Sequence, residues 1–104
     1  MPKYMFAYHG GSKPDTPEES AKEMEKWQNW LGGMGADCVD FGAPVGLSKT
    51  VSAQSITDDG GANPLSGYSI VEAADDAAAC EIAKGCPILQ NGKGTVEVAP
   101  IMEM

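Results

Sequence analysis

Between residues 67 and 87, GYSIVEAADDAAACEIAKGCP, the spacing of apolar side chains changes from two to between three and four. Tyr68, Ile70 and Glu72 alternate with Ser69, Val71 and Ala73, the period of a strand, whereas Ala79, Ile82, Ala83 and Cys86 step as a helix does. The change falls on Asp75-Asp76. An acid at the last extended position accepts a hydrogen bond from a free helix amide, and one in the first turn meets the positive end of the helix dipole. The pair therefore reads as a cap and a first-turn charge rather than as paired catalytic carboxylates. Gly85 and Pro87 mark the stop. A strand that runs into a helix within seven residues must lay that helix back across a sheet, which restricts the fold to a layered α/β or α+β arrangement.

The N-terminal third repeats this pattern. Residues 3–9, KYMFAYH, carry apolar side chains on both alternating sets, as a strand covered on both faces would, and Gly10-Gly11-Ser12 ends it. Thr16-Pro17-Glu18-Glu19 then combines a capping threonine, a proline at the first helical position and a glutamate three residues after the cap. Ser20, Met24, Trp27 and Leu31 follow at helical spacing, and Gly32-Gly33 is the expected terminator, with Trp30 off that stripe and free to meet a ligand or a partner. Residues 37–43 form a second strand closed by Pro44, residues 45–57 a hairpin, residues 68–73 a third long strand, and residues 95–101 the last strand after the Gly92-Lys93-Gly94 turn. The order is β-α-β-(hairpin)-β-α-β: α+β, a ferredoxin-like βαββαβ sandwich with two helices on one face of an antiparallel sheet. One domain over residues 1–104 accounts for it. The sheet's other face has no helix to cover it and is apolar in part, so a two-fold homodimer stacking sheet on sheet is expected.

Composition excludes several classes of function. Fifteen acids against seven lysines, with no arginine, give a net charge of −8, which repels phosphate backbones and argues against a nucleic-acid partner. No apolar run approaches bilayer length and the N-terminus is a poor signal peptide, so the expectation is a cytoplasmic protein without a membrane partner. Cys38, Cys80 and Cys86 are odd in number and lack a CxxC pair, which suits reduced, buried thiols. One histidine and dispersed acids do not make a zinc site, and no phosphate-binding glycine loop is present; neither metal nor cofactor is expected.

With this order in hand, five stretches acquire a common meaning: KYMFAY at 3–8, KWQNWL at 26–31, GYSIVEA at 67–73, AKGCP at 83–87 and GTVEV at 94–98. In this sequence order they resemble the YCII-related, or DGPF-domain, proteins. The resemblance implies a dimeric α+β barrel with a small pocket between sheet and helices near the dimer seam. It also implies that some members are enzymes using a histidine and an aspartate. Two departures matter. The Asp-Gly-Pro-aromatic segment is replaced by residues 58–65, DDGGANPL, in which Asp59-Gly60 is the remnant, and the helix position that carries the histidine in one branch is occupied here by the Trp27 region.

That leaves His9 as the one side chain suited to proton transfer at neutral pH. It ends the first strand, and Asp40 on the second strand or Asp59 in the motif remnant are the carboxylates expected to orient it. The first reading is a homodimer that binds a small, partly aromatic metabolite in a pocket built from Tyr8, His9, Trp30 and Phe41. The alternative is an enzyme in which His9 performs acid/base chemistry with Asp40 or Asp59, and a third is a structural or regulatory dimer without ligand.

Overall fold

In a computed structural model, described for residues 2–10, 16–90, 92 and 94–103, the chain forms the expected order. Strand β1 is Lys3–Gly10, helix α1 Pro17–Gly33, β2 Cys38–Pro44, β3 Thr50–Val51, β4 Ile56–Thr57, β5 Leu65–Glu72, α2 Asp76–Ala83 and β6 Gly94–Pro100. The loop signal at Gly11-Ser12 and Lys93 of the last turn lie outside the described residues. The long strands form one sheet in the order β2-β5-β1-β6, every neighbouring pair antiparallel, while β3 and β4 form a separate hairpin. This is the ferredoxin-like arrangement: the crossover through each helix places the first and third long strands side by side at the centre.

Both caps form as their sequences require. Thr16 accepts from the Glu19 amide at 3.1 Å with Pro17 at the first helical position, and Asp75 accepts from the Ala78 amide at 2.8 Å. An Asp75→Ala substitution leaves that amide unsatisfied and is expected to cost about 1 kcal/mol of stability, measured by urea unfolding. Two ends differ from expectation. Helix α1 runs through Gly32-Gly33 to Met34, and the left-handed terminator is Gly35 at φ 60°, because neither preceding glycine needs to leave the helical region. Helix α2 ends at Ala83, and Cys86 begins a short 3-10 turn at Pro87–Leu89.

The core lies between the helices and one sheet face. Tyr4, Phe6 and Tyr8 of β1 and Ser69 and Val71 of β5 point into it, and Ala79, Ala83 and Cys86 cover them from the α2 side. Helix α1 contributes Trp27, Trp30, Leu31 and Met34, whereas Met24 is 61% exposed. The buried stripe is therefore rotated from the one the spacing suggested, because it seats both indoles. Trp30 stacks on Phe6 with ring centroids 6.1 Å apart and donates its Nε1 proton to the Ile82 carbonyl at 3.3 Å. Trp27 meets Tyr8 edge-on at 4.7 Å. Burying a ring of this size stabilises by about 2–3 kcal/mol, more than the alternative stripe through Met24 and Ser20 offers.

A buried polar chain crosses the central strands. Tyr8 Oη donates to Ser69 Oγ at 2.8 Å, and Ser69 Oγ donates to the Phe41 carbonyl at 2.8 Å, tying β1 through β5 to the edge strand β2. That carbonyl is available because β2 bulges between Asp40 and Ala43. Gly42 takes φ 72° at the bulge and lies against the Tyr68 backbone, while Asp40 accepts from the Gly42 amide at 2.8 Å and fixes the turn.

Candidate functional site

Alternation along β1 puts Met5, Ala7 and His9 on the face opposite the helices. Beside them on that face stand Tyr68, Ile70 and Glu72 of β5 and Thr95, Glu97 and Ala99 of β6. His9 sits at the end of this row, its side chain only 11% exposed. Its Nδ1 lies 3.0 Å from the Asn63 carbonyl oxygen and 3.3 Å from that of Pro64, and its Nε2 lies 3.0 Å from Glu97 Oε1. Carbonyl oxygens only accept, so Nδ1 carries a proton and donates it. Nε2 and the Glu97 carboxylate then face one another across a single further proton. Glu97 is 69% exposed, so this proton lies at the edge of solvent and of anything seated on the open face.

The partner carboxylate is thus Glu97. Asp40 accepts from the Gly42 amide and shapes the β2 bulge, and Asp59 accepts from the Gly61 amide at 3.0 Å and shapes its own turn. The motif remnant still reaches the histidine, through the backbone carbonyls of Asn63 and Pro64 rather than through a side chain. Sequence reading passed over Glu97, yet a signal existed: it is the one acid inside the last strand. Antiparallel pairing of Ala7 with Glu97 and of His9 with Thr95 makes His9 and Glu97 diagonal neighbours on one face.

The four residues expected to line one pocket are distributed over both sides of the sheet. Tyr8 and Trp30 belong to the core beneath the helices, His9 points to the opposite face because it follows Tyr8 in the strand, and Phe41 is exposed on the edge strand. Burial pushes the Tyr8 phenol well above its ordinary range, so it serves as a neutral donor to Ser69. Burial likewise pushes the Cys86 thiol up to about 12, and desolvation with the Asp40 charge raises that of Cys38, which removes both as nucleophiles at neutral pH. A separate apolar cleft of about 220 Å³ lies between α2 and β6, lined by Cys80, Ala83, Leu89, Val96 and Val98, with Lys84 at its margin paired to Glu81 at 2.8 Å. Among the described residues no three histidine, cysteine or acidic side chains gather as metal ligands, and no helix is long and apolar enough to cross a membrane.

The model of the YCII-related domain family matches residues 5–104. The chain belongs to that family. Among solved structures, this YCII-related chain is similar to 5-chloro-2-hydroxyhydroquinone dehydrochlorinase from Burkholderia phenoliruptrix in complex with 2,5-dihydroxybenzoquinone. The TM-score is 0.56 at 16% identity, over 96% of this chain and 95% of that one, a likeness that shows the fold. No curated protein matches the YCII-related chain.

Proposed function

We propose that the open sheet face around His9 binds a small hydroxylated aromatic compound, of the hydroquinone or quinone class, and that His9 and Glu97 move protons on it. The observation that carries this reading is the His9 ring, held by carbonyls at Nδ1 and presenting Nε2 to an exposed carboxylate. Membership of a family with a structural neighbour that is a dehydrochlorinase supports the chemical class. Loss of hydrogen chloride from a chlorinated hydroquinone requires three proton movements. One ring hydroxyl gives up a proton, the carbon bearing chlorine gains one, and chloride leaves with its bonding pair as a second ring hydroxyl gives up its proton, so a neutral quinone forms and no external oxidant or reductant is needed. One group that takes a proton from oxygen and returns it to carbon serves the first two movements, and the same group, again unprotonated, can take the third. The half-exposed apolar side chains Met5, Tyr68 and Ile70 supply a surface for an aromatic ring beside it.

A second copy stacked on this face would exclude water from the site, and we place the site at the seam of such a homodimer. The test is chloride release from a chlorinated hydroxyhydroquinone by wild-type protein and by Glu97→Gln. The substitution keeps the volume but cannot exchange a proton, and about a hundredfold loss is expected, with partial recovery in Glu97→Asp and an altered pH profile. Equal rates in the wild type and the glutamine variant would remove Glu97 from the mechanism. Binding of 2,5-dihydroxybenzoquinone without any turnover would instead favour a binding protein.

A further inference from the structure

We infer that residues 45–57 form an arm that docks on a second copy of this chain, an inference that rests on the homodimer proposed above. Two-residue strands do not hold a hairpin together in water unaided. Yet β3 and β4 pair in register, and the pairing of Val51 with Ile56 sets both side chains on one face of the hairpin, 72% and 69% exposed. Leu47, at the root of the arm, is 99% exposed. Polar links tie the arm to itself and to the chain that follows it: Ser52 and Ser55 close the turn, Thr50 Oγ1 donates to the Asp59 carbonyl at 2.8 Å, Lys49 lies 3.4 Å from Asp58, and the Val45 amide at the root donates to the Ser66 carbonyl at 2.9 Å. The arm therefore shows apolar side chains to solvent while holding its shape through polar groups.

The geometry points to a second copy as the occupant. The radius of gyration is 14.7 Å, against about 13 Å for a compact chain of this length, and the extents of 43 × 41 × 21 Å describe a thin, spread body rather than a sphere. The arm is rooted at β5, where the Val45 amide donates to the Ser66 carbonyl, and the carbonyls of Asn63 and Pro64, between the arm and β5, touch His9 on the open face. One chain thus bears an apolar projection beside an uncovered sheet face, and two-fold symmetry would present each to the other copy twice. Val39 and Phe41 on the adjoining edge strand, 43% and 54% exposed, carry uncovered apolar side chains up to the root of the arm, of the kind that marks an interface. A net charge of −8 without an arginine leaves a phosphate-bearing or anionic-lipid surface a poor alternative.

The experiment is sedimentation equilibrium of the full chain carrying Leu47→Ser, Val51→Ser and Ile56→Ser together. Because these side chains are absent from the core, far-UV circular dichroism and the unfolding midpoint at low concentration should match the wild type. The dimer dissociation constant should rise at least about tenfold. Thr57→Ser, on the opposite face of the hairpin, should leave it unchanged. A triple variant that dimerises as tightly as wild type overturns the arm while leaving the sheet-face dimer standing. A wild-type chain that sediments as a monomer overturns both.

Discussion

His9→Gln is expected to lower kcat/KM for chloride release by about 10²–10⁴-fold while leaving binding of 2,5-dihydroxybenzoquinone within roughly threefold of wild type by calorimetry. Glutamine has nearly the reach of histidine and can keep one hydrogen bond, to the Asn63 carbonyl or to Glu97, so the strand end should retain its shape. What it cannot do is hold a proton at one end while exchanging another at the far end, and that is the property the ring's two occupied nitrogens supply. The split between turnover and binding separates the two functional readings. Undiminished turnover would eliminate His9 as the proton carrier. Turnover and binding falling together would make the ring a contact for the ligand instead.

The second large effect is on stability. Gly42→Ala places a methyl group inside the van der Waals surface of the Tyr68 carbonyl, at a backbone φ of 72° that alanine disfavours. The clash involves backbone on both sides, so no side-chain rotation relieves it. A loss of at least about 3 kcal/mol is expected, or roughly 12–24 °C in Tm for a domain of this size. The matched control is Gly46→Ala, where no atom lies within 4 Å of the added carbon; its effect should be within about 1 kcal/mol of zero. Equal melting temperatures for the two variants would show that the bulge relaxes. Because the Phe41 carbonyl beside the bulge accepts from Ser69, Gly42→Ala should also loosen the Tyr8 hydroxyl, visible as faster exchange of the β5 amides.

Much of the scaffold was legible because it is written in short-range signals. The Thr16 and Asp75 caps, the change of period at residue 75 and the pairing potential of residues 45–57 are each settled within a few residues, and each stands where expected. The stripe of α1 was less legible. Spacing admits either a Met24 or a Trp30 face, and only the position of Phe6 and Tyr8 across the interlayer gap selects the second. The site was legible in one residue and opaque in its partners. His9 announced itself as the lone imidazole, but Glu97 lies eighty-eight residues away in sequence and the Asn63 and Pro64 contacts come from backbone atoms. Carboxylates at bulges and turns also have a local use that competes with any catalytic one, as Asp40 and Asp59 show by accepting from the amide two residues on.

The aromatic cluster between the layers has an optical consequence. Both tryptophans of the chain lie in it, Trp27 against Tyr8 and Trp30 against Phe6 and Tyr8, on the side of the sheet away from His9. Intrinsic fluorescence will therefore report separation of helices from sheet, with the emission shifting to the red on unfolding. It will be nearly silent to a ligand or a second copy arriving on the opposite face.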